Sequence, residues 1–382
     1  MAYPARGVLV SESLRITLSG YYGCGNIGDE AVLAGILHGF RERCPGDAVE
    51  FTVLSANPSQ TQRLHGVHAL PRMSPTALRR ALGDCHILIS GGGSLFQDVT
   101  SLRSLLYYAF VVRYAHQRRR PVMLYGQGVG PLRRSISRGI MRNVANRAAA
   151  ITVRDEASAE LLKQIGVRTP VEVTADPAFA LPIGDGGPLL REFGLEERKI
   201  LGFALRPWAN VDARIPAFAR MVEVAALRAS AHPVFVPLHP PADLELAERL
   251  AQACQIPTTV IRRRLAPWEA IGLLAQVQAV GAMRLHAVIF AAMAGVPFLA
   301  LAYDPKVQAT AETLGVKDRC IPLQNFDGDL AGQLLAEAAE EGEGYREALR
   351  VRAGRLSALA LRNVDIALEV AATTRKTHSQ SW

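Results

Sequence analysis

The chain lacks any apolar run of the roughly 18 residues that a membrane-spanning helix needs. It is also poor in cysteine. There are five, an odd number with no Cys-x-x-Cys, which argues against a disulfide framework or a zinc ribbon and suits a reducing compartment. No His and Asp cluster has metal-ligand spacing, so no metal and no other cofactor is expected. Aromatics make up only 6%, with no RNP-type aromatic motif, zinc finger or helix-turn-helix, so nucleic acid is not an expected partner. The first residues break a short apolar patch with Glu12 and carry no h-region of an export signal, so a cytoplasmic location is expected.

What is present is enough apolar material for about two cored domains: 382 residues, 49% hydrophobic and 20% charged. Apolar strands alternate with amphipathic helices, the pattern of α/β domains with parallel sheets. The first half offers strands at Arg15–Ser19, Val49–Leu54, His86–Ser90, Pro121–Tyr125, Ala150–Val153 and Val171–Val173. The pattern restarts after the Gly/Pro-rich stretch 182–188, with strands at Lys199–Leu205, Pro233–Pro237, Thr258–Ile261, Ala279–Ala282 and Pro297–Ala302. Three segments are therefore expected: residues 1–184, a Rossmann-like domain on the acceptor side; 185–330, a second such domain; and 331–382, a helical tail whose polar end from Arg375 frays. Two doubly wound domains facing each other bind ligands in the cleft at the carboxyl ends of their strands.

On the first domain those strand ends are glycine-rich. Gly23, Gly25 and Gly28 spell GxGxxG between a strand and a helix, the context of a dinucleotide fingerprint. NAD and FAD are nevertheless not expected. Asp29 and Glu30 at the helix start would repel a pyrophosphate, and the second strand ends in Leu54-Ser55-Ala56-Asn57 with no acid for ribose hydroxyls. A neutral, hydroxyl-rich ligand suits Asn26, Asp29 and Glu30 better. Strand His86–Ser90 leads into Gly91-Gly92-Gly93-Ser94 with Gln97 and Asp98 beyond, and Pro121–Tyr125 leads into Gly126-Gln127-Gly128. Together these make a glycine-lined acceptor wall with Gly92, Gly93, Ser94, Gln97 and Gln127 as candidate contacts.

The second domain presents cations instead. Arg206 follows its first strand, His239 its second, and Arg284-Leu285-His286 its fourth, where a small apolar helix begins and Gly295 ends it. Arginines can clamp a carboxylate or phosphate bidentately, an imidazole can protonate a leaving oxygen, and free N–H groups at a helix start attract an anion. Tyr303, Asp304 and Lys306 follow the next strand. The formal charge of +8 and the clusters Arg118–Arg120, Arg133–Arg134 and Arg262–Arg264 fit solvated faces or a peripheral contact with anionic lipid at the inner face of the cell membrane.

As an ordered set, Gly25-Asn26-Ile27-Gly28-Asp29-Glu30, Gly91-Gly92-Gly93-Ser94-Leu95-Phe96-Gln97-Asp98, Gly126-Gln127-Gly128-Val129-Gly130-Pro131, Arg154-Asp155, Asp176-Pro177 and Met283-Arg284-Leu285-His286 resemble the polysaccharide pyruvyl transferase family, over about Arg15 to Leu323. The branch that pyruvylates secondary cell-wall polysaccharide for S-layer attachment is the nearest match. The resemblance implies a glycosyltransferase B-like architecture and a cyclic pyruvate ketal placed on a sugar from phosphoenolpyruvate. It implies donor contacts at Arg284, His286 and Arg206. Asp98 or Asp29 is the candidate base for the sugar hydroxyl, and a lipid-linked saccharide the expected acceptor. The rivals are a nucleotide-sugar glycosyltransferase of the same fold and a non-catalytic glycan-binding protein. The first would ordinarily carry a Glu on the helix near the phosphate, and Leu285–Ala294 has no acid.

Overall fold

A computed structural model of the chain describes residues 13–99, 102–208, 211–324 and 326–379; the opening stretch around Glu12 and the last three residues lie outside them. The first half runs β1 (Leu14–Ser19), α1 (Ile27–Arg43), β2 (Val49–Ser55), α2 (Pro58–His65), β3 (His68–Pro71), α3 (Pro75–Asp84) and β4 (Ile87–Phe96). It continues with α4 (Leu102–Gln117), β5 (Val122–Val129), α5 (Ser135–Ala145), β6 (Ala150–Val153), α6 (Glu156–Gln164) and β7 (Val171–Val173). The second half contains α7 (Gly187–Glu192), β8 (Ile200–Ala204), α8 (Val211–Ala229), β9 (His232–Phe235), α9 (Ala242–Ala253), β10 (Thr259–Val260) and α10 (Pro267–Leu274). Then come β11 (Ala279–Ala282), α11 (Leu285–Ala294), β12 (Phe298–Ala302), α12 (Pro305–Thr313), β13 (Cys320–Pro322), α13 (Gly328–Ala339) and α14 (Glu343–Ser379).

The strands form two sheets, ordered β3-β2-β1-β4-β5-β6-β7 and β10-β9-β8-β11-β12-β13, with every pairing parallel. Each order reverses beside its first strand, so each sheet has a switch point where loops diverge and leave a crevice. The protein is thus two Rossmann-like doubly wound domains facing a cleft.

Two expectations need correcting. The short strands β3 and β13 are additional to those read from the sequence. More consequentially, β4 and β5 do not stop at Ser90 and Tyr125. They run on through the glycines to Phe96 and Val129, with irregular register between Gly93 and Phe96. The glycine-rich wall is therefore strand rather than loop.

Two helices tie the domains together. α1 buries twelve of its residues, far more than one face, because the first-domain core packs on one side and the second domain on the other. Val32, Leu33, Ile36, Leu37 and Phe40 belong to the first core, while Ile27 and Ala31 pack with second-domain residues such as Leu238 and Leu285. The amide of Ile27 donates to the carbonyl of Leu238 at 2.8 Å. Gly35 lets the segment at Pro177 lie directly on α1, since a Cβ there would stand 2.1 Å from the Pro177 carbonyl oxygen. α14 crosses back: Leu349, Ala353, Leu356 and Ala360 pack on the second domain, and Val364, Ile366, Ala367 and Ala371 on the first. Buried Asn363 pins it at the crossing, accepting from the Thr174 hydroxyl at 2.8 Å and donating to the carbonyls of Ala360 (3.0 Å) and Ala175 (3.3 Å).

Candidate active site

The carboxyl ends of both sheets open on one cavity of about 750 Å³. Asn26, Gly28 and Asp29 reach it from the start of α1, Gly93, Ser94 and Leu95 from β4, and Gln97 from the turn beyond. The opposite wall carries Arg206 and Trp208 after β8, Leu238 and His239 after β9, Arg284, Leu285 and His286 after β11, and Tyr303 to Lys306 after β12. The structure therefore brings together all five residues expected on the donor side.

Their side chains are held in place rather than loose. Arg284 donates from Nε at 2.8 Å and from Nη2 to the two carboxylate oxygens of fully buried Asp243, which also accepts from the amide of His239 at 2.9 Å. The bidentate fork expected for the ligand is thus taken by Asp243, and Nη1 of Arg284 is the nitrogen left for the cavity. Arg206 donates from Nη1 to the Tyr303 hydroxyl at 2.8 Å, with its guanidinium 4.6 Å from the ring centroid. Lys306 stands 3.6 Å from Asp304 and 5.8 Å from the same ring. Burial, and next the charge of Arg284, holds the His239 imidazole below its ordinary pKa. No side chain caps α11, so its first amides remain available beside the cavity.

At the base of the cavity acids and bases alternate. His286 Nε2 lies 3.7 Å from Asp176 Oδ1, too far for a hydrogen bond, and is buried with no hydrogen-bond partner among the described residues. Its ring lies against the backbone of Gly28, where a Cβ would approach Nδ1 to 2.1 Å. Asp176 is held by Arg154 Nη1 at 2.8 Å, and Arg154 also donates to Ser94 Oγ at 3.0 Å. Burial alone would raise the Asp176 pKa, but His286 and Arg154 outweigh it and keep the carboxyl well below the usual range. At 3.7 Å the His286 contribution is one of charge. Asp29, which accepts from Asn26 Nδ2 at 2.5 Å, behaves oppositely. Burial raises its pKa to about 6, opposed by the positive charge of His286. A carboxyl that titrates near neutrality can both take and return a proton.

Four candidate residues do not line the cavity. Asp98 accepts from the amides of Arg133 and Arg134, each at 2.9 Å. Burial would raise its pKa, but these amides and the Ser137 hydroxyl hold it below its ordinary value, so this acid fastens the loop before α5 instead of serving the cavity. Glu30 accepts from the Gly23 amide at 2.8 Å and meets His65 Nε2 at 2.8 Å, bracing the glycine loop. Gln127 is buried and donates to the Ser90 carbonyl at 2.8 Å. Gly92 makes room for Val32 of α1. Conversely, Lys306, Asp176 and Asp243 were not among the candidates. Lys306 and Asp176 follow strand ends as the chosen residues do. Asp243 carried no signal, because an acid in a first helical turn is ordinary.

The match to a known family covers all of this constellation except Lys306, since residues 26–305 fit the family model described as polysaccharide pyruvyl transferase. The chain belongs to the polysaccharide pyruvyl transferase family. This makes it a transferase by family. No curated protein matches the sequence. Solved structures agree in fold at low identity. The S. aureus protein MnaA, solved with UDP, is 11% identical with a TM-score of 0.62, covering 94% of this chain and 98% of that one. The UDP-GlcNAc 2-epimerase from Neisseria meningitidis, bound to UDP-GlcNAc, is 13% identical with a TM-score of 0.58, covering 94% and 99%. A glycosyltransferase from Rickettsia africae is 10% identical with a TM-score of 0.57, covering 94% and 98%. These neighbours have the two-domain glycosyltransferase B fold. No described helix is long and apolar enough to cross a membrane.

Proposed function

We propose that the protein transfers the pyruvyl group of phosphoenolpyruvate to two hydroxyls of a cell-wall saccharide, carried on a lipid, to form a cyclic ketal and free phosphate. The observation that carries this reading is the division of the cavity: a wall of Arg206, His239, Arg284 and Lys306 faces a glycine-lined wall bearing Asp29, with His286 between them. A small donor with both a carboxylate and a phosphate matches several separate cations, and the remaining volume accommodates sugar rings. A nucleotide-sugar donor is less well served, since α11 offers no acid for a ribose.

In this reading a sugar hydroxyl gives its proton towards Asp29 and its oxygen bonds to C2 of the donor as C3 gains a proton. The second hydroxyl then attacks C2, the C2–O bond to phosphate breaks, and the second proton leaves with phosphate. Of the two hydroxyl protons, one ends on C3 and one on phosphate, so the sum balances. His286, whose Nε2 has no protein hydrogen-bond partner, is placed to protonate or hold the departing phosphate, with the α11 amides, Arg206 and Lys306 bearing its charge. The test is turnover by purified protein. Phosphate release from phosphoenolpyruvate, with an acceptor mass gain of pyruvate less water, supports the reading. Consumption of a nucleotide-sugar would replace it with the glycosyltransferase reading, and saccharide binding without turnover of either donor with the binding-protein reading.

A further inference from the structure

Between Asp98 and Asp155 there is no acidic residue, yet eleven of the 43 Lys and Arg residues lie there, all arginine. The rest of the chain, with the other 32 and all 35 acids, is net negative, so the entire positive balance belongs to this stretch. It contains α4 and α5, which enclose an apolar groove of about 580 Å³. Three large side chains on the groove are conspicuously solvent-facing: Leu106 at 46%, Phe110 at 56% and Ile136 at 61%. Arg113 and Arg147 flank it and pair with no carboxylate among the described residues. Apolar side chains of this size, exposed together and rimmed by unpaired cations, mark an interaction surface.

The groove adjoins the cleft through a single helix. Leu106, Phe110 and Arg113, spaced i, i+4 and i+7, fall on one side of α4, and Ser104 and Tyr108, which line the catalytic cavity, lie about half a turn away. We infer that the α4–α5 face docks on an anionic phospholipid bilayer, with Leu106, Phe110 and Ile136 entering the headgroup layer and the arginines meeting phosphates. The proposal rests on the lipid-linked acceptor of the function proposed above, and it holds the cavity beside the surface on which such an acceptor lies. Charge selects this occupant: a second copy of the same chain would set one acid-free arginine face against another. It also relocates the membrane contact expected from sequence. Arg118 to Arg120 lie at the end of α4 remote from the cavity, and Arg120 is turned inward, donating to the carbonyls of Leu82 and Gly83.

Co-sedimentation with phosphatidylglycerol–phosphatidylcholine vesicles, without donor or acceptor, tests this directly. Wild type should bind and be released by salt. The Arg113→Ser, Arg147→Ser double variant should bind about thirtyfold more weakly, at roughly 1 kcal/mol per arginine. The Leu106→Ser, Phe110→Ser, Ile136→Ser variant should lose binding, and both should keep wild-type turnover of a soluble acceptor analogue. If the triple variant does not fold, the arginine variant decides the matter alone. Binding by both variants equal to wild type, or no binding by wild type, overturns the inference. So does a wild-type dimer in sedimentation velocity that the triple variant splits, which would assign the groove to a second copy. Because no donor is present, failure here leaves the phosphoenolpyruvate reading standing, and failure of that reading leaves vesicle binding intact.

Discussion

In the proposed mechanism Asp29 is the residue on which the chemistry turns. Its carboxyl titrates at about 6 because burial disfavours the charge, while His286 partly offsets that. Turnover should therefore rise with pH through about 6 as Asp29 becomes able to accept a proton. In His286→Asn the offsetting charge is gone, so the acid limb of the kcat profile should move to higher pH besides falling in height by about 10²–10⁴-fold. An unmoved limb would remove Asp29 from the role of base. The same shift predicts a stability effect. The folded carboxyl binds its proton more tightly than an unfolded one, so this contribution is present at about pH 4, is lost as pH rises through 6, and has cost up to about 3 kcal/mol by pH 8. Asp29→Asn should melt higher than wild type near pH 8, equally near pH 4, and be inactive. Arg284 behaves differently from a free anchor. Arg284→Ala leaves Asp243 buried and unpaired, which should destabilise the fold by about 3–5 kcal/mol in urea titration, whereas Arg206→Ala, which strands no buried acid, should leave stability near wild type and weaken donor binding. The sequence placed Arg206, Arg284 and His286 at the right strand ends because each breaks an apolar run with a cation. It could not show that Asp243, forty-one residues from Arg284, takes the arginine fork, because that pairing is made only when folding brings the first turn of α9 to the residue that follows β11.

At the scale of elements, the parallel α/β alternation was legible because buried parallel strands read as short apolar runs. Glycine usually marks the end of a strand, so sequence pattern stops β4 at Ser90 and β5 at Tyr125. In the folded chain Gly91 and Gly92 let β4 pass over Tyr22 and Val32 at distances no Cβ would allow, and Gly126 lets β5 lie close on Pro177, so the strands continue. Strand β3, His-Ala-Leu-Pro, escaped notice because four residues carry too little pattern. The tail was legible as helix but not its route. α14 has only a weak apolar stripe on any one side because its two halves serve two different cores. Asn363 is the hinge of that arrangement. Asn363→Ala should leave the Ala175 carbonyl without its Asn363 donor and the Thr174 hydroxyl with only the Val153 carbonyl, and reduce stability by about 1–3 kcal/mol in urea titration, while donor affinity stays unchanged.

For the whole molecule, two sheets, the α1 wedge and the α14 strap place a cationic wall opposite a glycine wall, in a chain that belongs to a transferase family. The account depends on what the cationic wall recognises. Calorimetric titration of the purified protein with phosphoenolpyruvate, and separately with UDP and UDP-GlcNAc, addresses this most directly. The account predicts saturable one-site binding of phosphoenolpyruvate, lost in the Arg206→Ala, Lys306→Ala double variant, and no binding of either nucleotide. Binding of UDP or UDP-GlcNAc with none of phosphoenolpyruvate would contradict it.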